Sequence, residues 1–336
     1  MTPVAVIGAG SWGTTLADLL ARKGNPVRLW SYEPEVAREI NESRHNSKYL
    51  RGIRLAEQIT AVTDLRHAVT GAGVVISVSP AQHVRRIMAG AAQWLDPESL
   101  VISASKGIEI GTLDTMADVL NEVLPARAAA TSCYLSGPSF AMEVAQGKPT
   151  AVAIASRDDA AARRAQELLQ TDYFRVYTNS DVRGVEIAGA LKNVIALAAG
   201  MAVGLELGYN AMAALITRGL AEIARLGVAL GARPLTFAGL AGLGDLLLTC
   251  TGELSRNRSV GAAIGRGQTL EQATAGMAAV VEGVDTTRAA RALAERTGIE
   301  MPIVEEVYGV LFQGRSPREA VENLMLREPK AEWLDE

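Results

Sequence analysis

Cysteine is nearly absent from the chain, with two in 336 residues. Cys133 and Cys250 lie far apart in apolar surroundings, which excludes a disulfide framework. The histidines His45, His67 and His83 lack the spacing of metal ligands, so no metal centre is expected. Aromatics make up 4% of the chain, which leaves Ala, Leu, Val and Ile to build the core. Neither sign of charge dominates: 33 basic against 37 acidic residues give a net charge of −4. No long-range field therefore favours nucleic acid or an anionic membrane, and an anionic ligand needs a local basic site. The longest apolar run, 194–205, is too short to span a bilayer and follows Lys192-Asn193. The chain opens on Val4-Ala5-Val6-Ile7 with no cationic leader in front. These absences predict a soluble, cytoplasmic protein. Its 49% hydrophobic content, with 21% charged residues, indicates a well-buried globular chain long enough for two domains.

Short β-branched runs alternate with helical patterns up to about Thr178. Strands are expected at 4–7, 27–30, 59–63, 74–78, 100–103, 132–135, 151–155 and 175–177. Helices are expected at 14–22, 35–42, 84–94 and 160–170. That alternation predicts a Rossmann-like, doubly wound and mostly parallel sheet. From Ser180 the pattern turns helical, at 183–205, 212–230, 286–297 and 303–312, with Ala and Gly for close packing. The expected organisation is an α/β domain over 1–180, binding a dinucleotide, and an all-α domain over 181–330, binding substrate.

Gly8-Ala9-Gly10-Ser11-Trp12-Gly13 matches the dinucleotide fingerprint, with a strand before it and a helix after. Gly8 supplies the tight turn, Gly10 lets the backbone approach a pyrophosphate, and Gly13 permits close helix–strand packing. Glu33, about 20 residues further on, stands where a carboxylate accepts from the adenine-ribose 2′-hydroxyl of NAD. Two further loops, 78–82 and 103–107, follow strands. Both fall at the carboxyl edge of the sheet, where ligands bind, and Lys106 lies in the second.

Lys192 sits inside a strongly apolar helix beside Gly189 and Ala190. Most such lysines snorkel to solvent. One held in a cleft instead acts as general acid or base, with burial or positive neighbours lowering its pKa; Asp245, if close, opposes that shift and orients the ammonium. The segment 244–258 is an apolar run that ends in hydroxyls and Ser255-Arg256-Asn257-Arg258, followed by a helix pattern. A helix N-terminus beside a guanidinium suits a phosphate dianion, although an N-capped helix with solvated arginines fits the same residues. The loop Ser136-Gly137-Pro138-Ser139 also follows a strand, and Ser139 can donate to ligand oxygens. The residues alone give little ground for a role at Val280-Val281-Glu282-Gly283.

Taken together, Ser105-Lys106-Gly107-Ile108-Glu109, Gly137-Pro138-Ser139-Phe140-Ala141, Gly189-Ala190-Leu191-Lys192-Asn193, Leu215-Ile216-Thr217-Arg218-Gly219 and the stretch 239–258 resemble the soluble bacterial NAD(P)-dependent glycerol-3-phosphate dehydrogenases. The resemblance runs from Gly8 to about Leu324. It implies reversible hydride transfer between the nicotinamide and C2 of dihydroxyacetone phosphate or sn-glycerol 3-phosphate, feeding phospholipid synthesis. It implies that Lys192 exchanges the proton at the C2 oxygen and that Lys106, Asp245 and Thr249 complete the polar site. Ser255, Arg256 and Asn257 would hold the substrate, chiefly its phosphate, with Gly137 and Ser139 alongside. Ser11, Trp12, Lys106, Ala141, Arg256, Val280 and Glu282 match cofactor contacts, joining Gly8, Gly10, Gly13, Tyr32, Glu33 and Tyr49.

Two loops depart from that family's pattern. Where members preferring NADPH carry an arginine, this chain reads Ser31-Tyr32-Glu33. Its Tyr49-Leu50-Arg51-Gly52 replaces Tyr-Leu-Pro-Gly, so Arg51 and Lys48 offer another partner for a 2′-phosphate. NAD or dual use is the expectation. The rivals are another two-domain dehydrogenase, of the hydroxyacid or ketopantoate type, and a non-catalytic nucleotide-sensing module. The Ala-rich helices also offer surface for a homodimer.

Overall fold

The computed structural model describes residues 2–329 and 331–332; Lys330, the end of the expected second domain, lies outside them. Eight strands, β1 (Val4–Ile7), β2 (Val27–Trp30), β3 (Ile59–Val62), β4 (Val74–Ser77), β5 (Leu100–Ser103), β6 (Cys133–Ser136), β7 (Thr150–Ser156) and β8 (Phe174–Asn179), form one sheet. The order is β3-β2-β1-β4-β5-β6-β7-β8. Only the β6–β7 pair is antiparallel. The chain winds outward from β1 to β3, then restarts at β4 on the other side of β1. This switch point opens a crevice at the carboxyl ends of β1 and β4.

Both faces of the sheet are covered. Val4, Val6, Val74, Ile76 and Ile102 belong to one apolar cluster. Ala5, Ile7, Val75 and Val101 belong to another, on the opposite face. Strands buried on two sides tolerate no polar alternation, hence their continuous apolar sequence.

The helices that shape the site are α1 (Ser11–Arg22), α2 (Ala81–Ala92), α3 (Met116–Val123), α4 (Val182–Gly204), α5 (Gly208–Ala229), α6 (Asp245–Thr251), α7 (Arg256–Gly265), α8 (Glu282–Thr297) and α9 (Pro302–Phe312). Helix α4 is buried along nearly its whole length and is the axis of a third apolar cluster, with Leu226, Leu246, Val260 and Ala289 around it. A helix apolar all round belongs in a core. Its start is fixed by the Asp181 side chain, which accepts from Gly184 N at 2.9 Å, Arg233 N at 2.8 Å and Thr236 Oγ1 at 2.6 Å. Helix α7 lies so close to α4 that a Cβ on Gly200 would stand 2.1 Å from the Arg258 carbonyl oxygen. One on Gly261 would stand 2.1 Å from that of Leu197.

The apolar run 194–205 understates α4, because Lys192 and Asn193 interrupt the run but not the helix. Two stretches among the described residues, Val182–Gly204 and Pro234–Thr251, are long and apolar enough to cross a membrane. The first has 83% of its apolar window buried inside the protein. The second is broken by a π-helical turn at Leu240–Gly244 and carries the buried Asp245.

Several helices begin earlier than apolar periodicity predicts. α1 starts at Ser11 rather than Thr14, α2 at Ala81 rather than Val84, α5 at Gly208 rather than Met212, and α8 at Glu282 rather than Thr286. These first turns are mostly small or polar, with Trp12, Tyr209 and Val284 as isolated large side chains, so they extend no apolar periodicity.

Candidate functional site

The crevice is built by glycine. Gly8 has φ +124°, and a Cβ there would lie 2.9 Å from the Val78 carbonyl oxygen; a Cβ on Gly13 would lie 1.9 Å from that of Gly8. These two residues let α1 leave β1 directly over β4. Gly10 is different, with no atom within 4 Å of where its Cβ would stand. It precedes α1 with no side-chain cap, so first-turn N–H groups face open space. That is a cradle for a pyrophosphate, and the residues present fit a dinucleotide.

Around this cradle Ser11 Oγ donates to the Tyr49 carbonyl at 2.5 Å, and Trp12 packs on Phe174 with ring centroids 6.3 Å apart. Both side chains hold the walls together. Glu33, just after β2, accepts from Lys48 Nζ and from Tyr49 Oη, the latter at 3.0 Å. Tyr32 is largely exposed and sets its ring edgewise on Trp30. The Ala141 carbonyl accepts from Thr15 Oγ1 at 3.2 Å, which fixes the loop after β6 beside α1.

Lys106 and Lys192 meet on one carboxylate. Lys106, in the loop after β5, donates to Asp245 Oδ2 at 2.6 Å. Lys192, at the middle of α4, donates to Asp245 Oδ1 at 2.6 Å and to Thr249 Oγ1 at 2.9 Å. Asp245 opens α6, and Thr249 lies one turn later on the same face. The Thr249 hydroxyl donates to the Asp245 carbonyl at 2.6 Å, so its lone pairs turn to Lys192. Gly107, at φ +152°, has its Cβ position 2.5 Å from that of Ala81, which draws the Lys106 loop against the start of α2.

Burial decides the electrostatics. Lys192 is 8% exposed, and its pKa is lowered to about 8 by burial; Asp245 opposes the shift and Lys106 adds to it. Burial pushes the Asp245 carboxyl up, but the ammoniums of Lys106 and Lys192 outweigh it and hold the group below the ordinary range. Lys192 is therefore an ammonium poised near neutral pH beside a permanent carboxylate.

Ser255 caps α7, accepting from Arg258 N at 3.3 Å. The Arg256 side chain is exposed, donates to the Val280 carbonyl at 2.9 Å, and has no carboxylate ion pair among the described residues. It is thus a cation free to meet an anion at the helix start. Asn257 departs from a simple ligand role. Its Nδ2 donates to Asn193 Oδ1 at 2.9 Å and its Oδ1 accepts from Gly283 N at 3.0 Å, so it ties α4, α7 and α8 together. Asn193 and Asn257 are the chain neighbours of Lys192 and Arg256, so their bond ties together the two helices that carry these cations. Gly137, at φ +138°, packs on Val152, and Ser139 Oγ turns back to donate to its carbonyl at 2.9 Å.

Glu282 lies on the helical side, accepting from Ala81 N at 3.3 Å, and burial pushes its pKa up to about 7 against the effects of Ala81 and Arg256. Through Ala81 it joins the helical part to the crevice. Its contacts are far away in sequence, which is why the residues alone say little of this stretch. Sequence reasoning also missed Asn193 and the π-helical turn that delivers Asp245. The Gly-rich run 239–244 was the available signal: a Cβ on Gly242 would stand 2.1 Å from the Phe237 carbonyl oxygen.

Residues 3–162 match the family model described as NAD-dependent glycerol-3-phosphate dehydrogenase N-terminus, and residues 181–322 match its C-terminus counterpart. The chain is 57% identical over 331 residues to a glycerol-3-phosphate dehydrogenase (NAD(P)+) of Citrifermentans bemidjiense, covering 98% of this chain and 99% of that one. It is 50% identical to the protein of the same name from Myxococcus xanthus, covering 98% of each. The crystal structure of glycerol-3-phosphate dehydrogenase from Coxiella burnetii superposes with a TM-score of 0.92 at 39% identity, covering 97% of this chain and 99% of that one. The sheet order, the glycine cradle and the lysine–carboxylate cluster thus belong to a chain of the NAD-dependent glycerol-3-phosphate dehydrogenase family.

Proposed function

We propose that this protein interconverts dihydroxyacetone phosphate and sn-glycerol 3-phosphate, using NAD(H) or NADP(H), in the cytoplasm. The observation that carries the reading is the pair of lysines on Asp245, with the Arg256 guanidinium at the start of the adjoining helix α7 and in no carboxylate ion pair among the described residues. The coenzyme, when bound, supplies or accepts the hydride at C2. Residues 1–180 hold it in this reading, and residues 181–330 supply most of the substrate site.

Lys192 gives its proton to the C2 oxygen in reduction and takes it back in oxidation. A pKa of about 8 leaves it charged at neutral pH and makes the neutral base accessible just above. Lys106 adds positive charge where the alkoxide develops, and Asp245 with Thr249 fixes the ammonium of Lys192. Arg256, the Ser255-capped helix start and the remaining Nδ2 hydrogen of Asn257 grip the phosphate. Binding at that remote end orients the reacting carbon. Gly137 and Ser139 line the approach. Gly8, Gly10, Gly13, Ser11 and Trp12 form the pyrophosphate cradle in this reading; Ala141, Val280 and Glu282 flank the coenzyme. Glu33 favours NAD through the ribose diol, with Tyr32 and Tyr49 beside it. Lys48 is already paired with Glu33, and its release toward a 2′-phosphate is the route to dual use. The burial of α4 argues for a protein that does not insert into membranes, and a homodimer remains part of the proposal.

The test is oxidation of NADH and NADPH, in parallel, with dihydroxyacetone phosphate and with a panel of 2-keto acids. Turnover with the phosphorylated ketone is expected, and Lys192→Ala should lower kcat roughly 10²–10⁴-fold. Turnover of the keto acids alone would favour a hydroxyacid-type dehydrogenase. Tight coenzyme binding without turnover would make the chain a nucleotide sensor.

A further inference from the structure

Beside Lys106 lies a small, partly enclosed cavity of about 10 Å³, lined by Lys106, Tyr134, Ser136, Glu186 and Gly189 among others. It is about the size of one water molecule, and Ser136, Glu186 and Lys106 offer that water polar partners among otherwise apolar walls, which suits one ordered water. Ser136 Oγ, at the end of β6, is buried and has no protein partner for its hydrogen or its lone pairs. It lies 2.8 Å from where a Cβ on Gly189 would stand, and the Lys106 stem passes 3.7 Å from the same point. Only glycine at that position of α4 leaves the space open.

The acidic side chain on this cavity is Glu186, six residues before Lys192 on α4. One of its oxygens, Oε2, accepts from Ala117 N in the first turn of α3, at 2.5 Å. The charged groups around it are Asp118 and Arg183, paired with each other at 2.6 Å, with Lys106 and Tyr134 across the cavity. Arg183 spends its direct ion pair on Asp118 and acts on Glu186 only as a nearby charge, so Glu186 has no ion pair of its own among the described residues.

We propose that Glu186 is a positioning residue for this reaction, coupled to Lys106 through a single water held in the cavity by Ser136 Oγ. The inference rests on the assignment of Lys106, Lys192 and Asp245 as the reacting cluster. Burial pushes the Glu186 pKa up to about 8, against the Ala117 and Thr115 hydrogen bonds. The carboxyl is therefore neutral at pH 7 and acquires its charge just where Lys192 begins to lose its own. The new negative charge, relayed by the water to Lys106 and the carboxylate it shares with Lys192, favours the Lys192 ammonium and extends reduction to higher pH.

The experiment is the pH profile of dihydroxyacetone phosphate reduction for wild type, Glu186→Gln and Ser136→Ala, with Lys192→Ala as control. Glu186→Gln imitates the neutral carboxyl, so its rate at pH 6.5 should stay near wild type. Its alkaline limb should move about half a pH unit lower, a roughly threefold loss there and less than a directly touching charge produces. Ser136→Ala should shift the limb in the same direction. A purely structural role for Glu186 would lower the rate at every pH, and that result, or an unmoved limb, overturns the proposal. Should Glu186→Gln fail to fold, a high-resolution structure of the wild-type protein decides. One water within hydrogen-bond distance of Ser136 Oγ supports the coupling, and a dry cavity overturns it. An active Lys192→Ala protein would instead reject the reacting cluster itself.

Discussion

Asp245→Asn isolates the charge that holds the two lysines. The substitution keeps the shape of the side chain and its place at the start of α6, but removes the anion 2.6 Å from each ammonium. In the wild-type protein Lys192 has a pKa of about 8, so about nine-tenths of it is charged at pH 7. A directly touching opposite charge moves a pKa by about 1–3. Without it the Lys192 value falls to roughly 5–7, and its charged fraction at pH 7 to between about one-half and one-hundredth. Reduction of dihydroxyacetone phosphate at pH 7 should therefore slow by roughly 2- to 100-fold from charge state alone. Glycerol 3-phosphate oxidation needs the neutral amine, so its lower pH limit should move acidward by the same amount. The assay is kcat against pH in both directions, at saturating coenzyme, with thermal unfolding as a check because one partner of a buried pair is being removed. If both limbs stay where the wild type has them, Asp245 does not control the charge on Lys192 and the electrostatic argument fails.

Arg256→Ala should raise KM for dihydroxyacetone phosphate while changing kcat far less, since the guanidinium acts at the remote end; an unchanged KM would defeat the phosphate assignment. Gly13→Ala places a Cβ 1.9 Å from the Gly8 carbonyl oxygen, so coenzyme affinity and melting temperature should fall together, checked by coenzyme titration and calorimetry. Glu33→Ala leaves Lys48 only its longer pair with Glu35 and removes the ribose acceptor, so the NADPH-to-NADH ratio of kcat/KM should rise roughly tenfold or more, as loss of a charged hydrogen bond implies. A constant ratio would place coenzyme choice elsewhere.

Much of the fold was legible because strands buried on both faces have an unmistakable composition: β1, β2 and β5 have the expected bounds, and the other five differ at their ends by one or two residues. Glycine was informative for the same steric reason, since Gly8 and Gly13 tolerate no side chain where they stand. Contacts between distant segments were harder to read. Lys192 looked unusual in an apolar helix, yet the carboxylate that orients it lies 53 residues away and reaches it only through a π-helical turn. Asn257 reads as one more polar residue at a helix start. Its bonds to Asn193 and Gly283 arise from packing three helices together, which no local pattern encodes. Glu282 is similar: its partner Ala81 lies 201 positions earlier.

The glycine contact between α4 and α7 has a consequence for which substrates this scaffold can serve. The two backbones touch at Gly200 and Gly261, with no side chain between them to trim or extend. In the proposed reading, the spacing of the two backbones that carry Lys192 and Arg256 is therefore set by main chain, like the fixed jaws of a gauge. Enlarging the lining residues would crowd the opening without lengthening it. On that reading a phosphorylated ketone one carbon longer has only the Lys192 and Arg256 side chains to give way, because sliding the helices would cost the core they share.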